Sequence, residues 1–218
     1  DDAAVQEAAR RSRGNPLFAL QQLHAWALAG NMQIQEGVYR VPEEVLSVRP
    51  QTTAELWDSR VEVMPEAHRL AAYAVATIGG DIRRNVLHAL LTRLGLPADE
   101  AIVSLQNAEI ILPRGAGRYN WPHALLQEHL LAQLVERPDA QTIFVAASDA
   151  LAEHPLANQR RIVRQRAANL LYANSPEAAA KLIFDWLAKA WNTSREPLST
   201  LGDLELLKGH LHGRNLAL

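Results

Sequence analysis

Along most of this chain, apolar residues recur at the three- and four-residue spacing that places them on one face of a helix; only two short stretches alternate. The segment PLFALQQLHAWALAG carries Leu17, Leu20, Leu23, Ala27 and Leu28 close to an i, i+3, i+4, i+7 pattern, predicting that these five form its buried face. Pro16 is well placed as the first residue of this helix and Gly30 stops it. Residues 2–12 are also helix-compatible, and Gly14 with Asn15 breaks the chain between the two. In MQIQEGVYRVP, Met32 and Ile34 alternate with polar neighbours, and the chain turns at Glu36-Gly37 into Val38, Tyr39 and Val41, predicting a short β-hairpin.

Residues 50–135 read as four helices, a hairpin and another helix. TTAELWDSRVEVM has a Thr cap, PEAHRLAAYAVATIGG opens at Pro65 and closes on two glycines, RRNVLHALLTRLG closes at Gly95, and LPADEAIVSLQNAE starts from Pro-Ala-Asp. IILPRGAGRYNW sets two short apolar or aromatic runs around the turn signal Gly115-Ala116-Gly117. HALLQEHLLAQLVE follows, with Leu125, Leu126, Leu130 and Leu134 as its predicted core face. Helices followed by a hairpin are the order of a winged helix. Beyond 139 come AQTIFVAASDALAEH, ANQRRIVRQRAANLLYAN and SPEAAAKLIFDWLAKAWNT, the last opened by Ser175 as N-cap, Pro176 and Glu177. Their small-residue and aromatic rhythm is that of helix-turn-helix repeats of the tetratricopeptide kind, without a clean self-similarity of roughly 34 residues. Residues 199–218 read as one more helix, LGDLELLKGHLH, and both ends of the chain read as cut. The predicted fold class is therefore mainly α: a winged-helix domain with small β-hairpins, followed by an α-helical hairpin (TPR-like) region.

Composition narrows the chemistry. An apolar share of 48% over 218 residues supports one large or two small domains. Lys plus Arg number 22 against 24 Asp plus Glu, so no general field draws the chain to nucleic acid or acidic membrane. The absence of cysteine excludes disulfides, thiolate zinc sites and cysteine nucleophiles. No apolar run approaches the ~20 residues of a membrane span, and DDAAVQEAARRSRG lacks the apolar core of a signal peptide, so a cytoplasmic location without membrane partners is expected. No Gly-x-x-x-x-Gly-Lys-Ser/Thr loop, Gly-x-Ser-x-Gly elbow or His-Glu-x-x-His pair occurs, so no enzymatic activity is expected of this chain alone. His123 and His129, six apart, lie about 120° from eclipsed on a helix and make no metal pair. His210 and His212, two apart, would point to different faces.

Two stretches carry a resemblance. RSRGNPLFALQQL resembles the Gly-x-Pro element late in the ATPase module of signal-transduction ATPases with numerous domains, the STAND class. LPADEAIVSLQNAEIILPRGAGRYNWPHALLQEHLLAQL resembles the winged-helix segment of that class, nearest to bacterial versions fused to LuxR-type DNA-binding regions, adenylyl cyclases or Ser/Thr kinases. The likeness covers roughly residues 5 to 135 and joins two individually weak motifs in the usual order. It implies that residues 1–45 are the C-terminal helical part of an ATPase module, 46–137 the winged-helix domain, and 138–218 the helical repeat region. It further implies that Pro16 packs near an adenine, with Gly14 and Asn15 shaping the turn. His123 takes the place of the sensing histidine that approaches the β-phosphate of bound ADP. Pro122 and Ala124 depart from the Met and Asp that flank this histidine in plant and animal relatives.

On that likeness, ADP or ATP binds the intact parent and is not held tightly by this chain. The partners implied are an upstream P-loop domain and a protein or inducer on the C-terminal helices. Two other classes compete with this nucleotide-switch reading. One is a DNA-binding winged-helix regulator, whose recognition helix would be either RRNVLHALLTRLG or, by the wing's position, ADEAIVSLQNAE; the second is acidic and apolar and offers no Arg or Lys to phosphates or guanine edges, which disfavours this class. The other is a helical scaffold presenting Arg160, Arg161, Arg164 and Arg166 as a basic ridge to an acidic partner.

Overall fold

The computed structural model describes residues 5–6, 9–10, 12, 16–28, 30–35, 38–42, 44–45 and 53–191. Of the two threonines at the predicted Thr cap, Thr53 opens the helix; Thr52, most of residues 2–12, and the helix at 199–218 lie outside the described residues. In chain order the elements are α1 (Pro16–Leu28), β1 (Gln33–Gln35), β2 (Val38–Arg40), α2 (Thr53–Glu62), α3 (Glu66–Ala76), β3 (Ile82–Arg83), α4 (Arg84–Arg93), α5 (Ala98–Asn107), β4 (Leu112–Gly115), β5 (Arg118–Asn120), α6 (Ala124–Val135), α7 (Ala140–Ala152), α8 (Arg160–Tyr172) and α9 (Pro176–Trp191). Among the described residues the chain is mainly α with two small antiparallel sheets, as its spacing predicts.

The first hairpin pairs Gln33 with Arg40 and Gln35 with Val38. Below it, Trp26 of α1 and Val41 form a small core with Leu23, Met32 and Val45 against them. The buried face of α1 is not the predicted one. Phe18, Gln22 and Trp26 are buried, whereas Leu20 is half exposed and Ala27 exposed; the side chains of Leu17 and Leu28 lie outside those described. Phe18, Gln22 and Trp26 stand at i, i+4 and i+8, one straight stripe, and aromatic rings remove more area from water than the leucines opposite.

From α3 the order is helix, strand, two helices, two strands, and the three-stranded sheet runs β3-β5-β4. The strand earliest in the chain thus pairs with the latest, Ile82 opposite Tyr119, which is winged-helix topology. β3 was not predicted, because two residues cannot show a period of two; Arg83, expected inside the helix, is instead the extended N-cap of α4. The wing turns through Ala116 and Gly117 at φ of +50° and +66°, the left-handed pair that a tight two-residue hairpin of type I′ requires. Pro113 sits in β4, an edge strand, next to an irregularity in the pairing, where proline is tolerated.

One buried cluster runs from Trp57 to Ala173. At its centre lies α3, whose Ala71, Ala72, Ala74, Val75 and Ala76 are small enough for α5, α6 and α7 to approach together. Leu90 and Leu91 of α4 share this cluster with Ile143, Phe144, Ala147 and Leu151 of α7. The buried cluster thus includes residues on both sides of 137–138. On α6, Leu126, Leu130 and Leu134 are fully buried as predicted, but Leu125 is 45% exposed, lying a quarter-turn off that i, i+4, i+8 stripe. Helices α7, α8 and α9 pack in sequence as hairpins, with a second small core of Val163, Ala167, Ala179 and Ile183 between α8 and α9. Ser175 precedes α9, its hydroxyl donating to the Ala173 carbonyl at 3.4 Å.

The end of α3 explains how the helical hairpin is attached. Its last carbonyls have no intrahelical donors, and side chains from two other helices and the wing serve them. Gln127 of α6 donates to Ala76 O at 3.0 Å, Trp121 Nε1 to Gly79 O at 3.0 Å, and Gln165 and Asn169 of α8 both donate to Thr77 O, at 3.0 and 3.2 Å. Gly79, at φ +92°, lets the chain turn away beneath these donors.

Candidate functional site

His123 stands as the N-cap of α6, in extended backbone after Trp121-Pro122. Its Nδ1 accepts the Leu125 N–H at 3.2 Å, so the ring caps its own helix as an Asn or Asp would. An accepting Nδ1 carries no proton, and the ring hydrogen resides on Nε2, which remains available as a donor. Pro16, the other described member of the predicted constellation, is exposed at the start of α1. Gly14 and Asn15 lie outside the described residues. α1 packs on α2 and α6 packs on α3, so the two halves of the predicted constellation are carried by different helices.

A polar cleft of about 330 Å³ opens where α2, α3 and α6 meet, lined by Asp58, Glu62, Arg69, Tyr73, Gln133 and Arg137, with Val61 on its apolar side. His129 Nε2 lies 2.7 Å from Asp58 Oδ1, the same oxygen accepts from Gln133 at 2.7 Å, and the imidazole tilts against Trp57 with centroids 5.4 Å apart. A His–Asp pair invites a search for a nucleophile. The nearby Ser59 hydroxyl donates back to Leu56 O at 2.8 Å, and among the described residues the partners of His129 are Asp58 and Gln133, neither a hydroxyl. The pair therefore joins α2 to α6. Arg137 is likewise engaged, gripping Asp139 with two bonds of 2.8 Å and lying over the Tyr73 ring; the Asp139 hydrogen bond raises its pKa above the usual guanidinium value.

The face a DNA-binding winged helix uses is acidic here. α5 is the third helix of the winged-helix order, and it exposes Asp99, Glu100 and Val103. The neighbouring Arg84 is paired to Asp99 at 2.8 Å. Phosphates need cations on such a face. The predicted arginine ridge on α8 is also broken up. Arg166 turns inward, its Nε donating to Ser148 O at 3.1 Å, and burial lowers its pKa; Arg161 pairs with Asp81 at 3.0 Å.

Sequence reasoning missed His154. It follows α7, its side chain fully buried, and its Nδ1 accepts the Leu156 N–H at 2.9 Å, the same i to i+2 arrangement as His123. Both histidines sit beside a proline, Pro122 before one and Pro155 after the other, and that was the signal available. Burial lowers the pKa of His154, and Arg83, Arg161 and Arg118 lower it further against the opposing pull of Asp81. A base whose pKa is depressed by folding is protonated more readily in the unfolded chain. Stability is then complete above the ordinary histidine value of about 6.5 and is lost as pH falls from there towards the folded value. Chemical denaturation from pH 7.5 to 5 is expected to show this loss. His154→Asn keeps an acceptor for Leu156 N–H without a titrating ring, and is expected to flatten the slope.

Among the described residues no group of three or more His, Cys, Asp or Glu is placed to hold a metal ion, and no helix is long and apolar enough to cross a membrane. No family model, no curated protein and no solved structure matches this chain.

Proposed function

We propose that this chain is the regulatory lid and sensor arm of a STAND-class signalling ATPase, coupling the ADP or ATP state of an upstream P-loop domain to effector activation through its winged helix and helical hairpins. One observation carries the reading: His123 sits at the helix mouth after the wing, its Nδ1 tied to Leu125 N–H and its Nε2–H available. A helix N-terminus favours anions, and a neutral imidazole held in one tautomer there donates to a β-phosphate without first acquiring a proton. The rest of the fold suits a lever. The lid shares one continuous core with α7 and α8, so a signal arriving on the hairpins is passed on by rigid packing. The acidic α5 makes the DNA-binding alternative the weaker one, and the split arginine ridge weakens the scaffold alternative. On this reading the chain itself catalyses nothing and holds nucleotide only together with the P-loop domain, in the cytoplasm.

The test is calorimetry with ADP and ATP on the parent protein containing its P-loop domain. His123→Asn preserves the helix cap while withdrawing the imidazole. The variant is expected to weaken ADP about tenfold or more, the scale of one hydrogen bond to a charged group, and ATP less. An ADP affinity unchanged in a parent that binds nucleotide would reduce His123 to a helix cap and return the scaffold reading to first place.

A further inference from the structure

Where the wing meets the helical hairpin, cationic groups gather around one carboxylate. Arg83 of β3 and Arg118 of β5 are directly opposite in the antiparallel register, so their side chains leave the same face of the sheet. Arg161 reaches the same place from α8, and its guanidinium donates to Asp81 Oδ2 at 3.0 Å. Arg83 Nε lies 3.7 Å from that oxygen and His154 Nε2 lies 3.9 Å from it, both beyond hydrogen-bond length. Asp81 is the only carboxylate acting on His154 among the described residues, against three arginines.

Two features make this a site and not a crowded ion pair. First, two buried donors converge with nothing to accept them: neither Arg83 Nε nor His154 Nε2 has a hydrogen-bond partner, and the His154 side chain is 0% exposed. With Nδ1 occupied by Leu156 N–H, Nε2 carries the hydrogen and is a donor. A buried donor without an acceptor is costly, and native folds seldom leave two side by side. Secondly, like charges directly across a strand pair repel, and Asp81 is already engaged by Arg161. The arrangement is rich in donors and positive charge and poor in acceptors. Arg118, which is exposed, and Arg161, 61% exposed, stand on its solvent side.

We infer that Arg83, Arg118, Arg161 and His154 form a binding site for a tetrahedral oxyanion, a phosphate group, at the junction of the wing and the α7–α8 hairpin. Arginines supply charge-assisted bonds to phosphate oxygens, and the neutral His154 Nε2–H supplies a buried donor that orders the anion without adding repulsion. Asp81 holds Arg161 in position. The site is independent of His123 and of any nucleotide. A bound phosphate links β3 and β5 to the hairpin and tightens that junction, whether it is free phosphate or a phosphorylated side chain of a partner.

Inorganic phosphate is titrated into the 218-residue chain by calorimetry, against sodium chloride of matched ionic strength, with the His154 imidazole followed by NMR. Saturable one-to-one binding is expected, moving the His154 Nε2 resonance and leaving His123 in place. Arg118→Gln and Arg161→Gln, both exposed positions, are each expected to weaken it at least about fivefold. Arg114→Gln on β4 leaves it unchanged. O-phosphoserine binding more tightly than phosphate identifies a phosphorylated partner as the source, and weaker binding identifies the free ion; both support the site. Heat no greater than that of chloride, or an affinity unaltered in Arg118→Gln and Arg161→Gln, overturns the inference.

Discussion

Phe144→Ala is expected to lower the stability of the chain by about 3–5 kcal/mol, the range for deleting a buried aromatic side chain. Phe144 is 1% exposed on α7, belongs to the same cluster as Leu90 and Leu91, and stacks on Tyr172 of α8 with centroids 4.9 Å apart and planes 17° from parallel. Truncation removes the ring that three helices share, in a place where backbone on both sides is held by other contacts and does not collapse to fill the space. The size of the loss matters less than its distribution. If one core spans the winged helix and the hairpin, hydrogen exchange in α3 and α4 accelerates together with that in α7 and α8, and urea unfolding by fluorescence and by circular dichroism gives a single coincident transition. Faster exchange confined to residues 140–173 would show instead that the hairpin unfolds by itself, and the lever role of the shared core would fail with it.

Much of this architecture was legible because it is written in local chemistry. Helices α3 to α9 declare themselves by spacing and by the Pro and Gly residues at their boundaries, and the two hairpins by Glu36-Gly37 and Gly115-Ala116-Gly117. What failed was non-local. Strand β3 is fixed only by its pairing with β5, so nothing within Ile82-Arg83 announces it. The face of α1 depends on what α2 and the hairpin bring against it, and Phe18 and Trp26 won over Leu20. The same holds at the sites. His123 was visible because Pro122-His123 opens an apolar run, a local signal, whereas His154 gains its meaning from Arg83, Arg118 and Arg161, three residues that only the folded chain brings together. A run such as Arg160-Arg161 reads as a ridge until the structure shows Arg161 turned to Asp81 and Arg166 to Ser148.

The attachment of α8 to α3 yields the second large effect, because two donors share one acceptor. Asn169, 1% exposed, and Gln165 both serve the Thr77 carbonyl, which accepts from no backbone N–H among the described residues. Removing Gln165 alone leaves the carbonyl satisfied by Asn169, and the net loss is expected to be about 1 kcal/mol. Asn169→Ala is expected to cost somewhat more, since its site is buried and a cavity is added. Removing both leaves a buried helix-end carbonyl with no donor, and the desolvation penalty, absent from either single variant, is now exacted in full. The double variant should therefore lose more than the sum of the two, by about 0.5–3 kcal/mol of coupling. A double-mutant cycle by urea denaturation reads this directly. Strict additivity would mean that water replaces the amides at Thr77 and that the end of α3 is wetter than its burial implies.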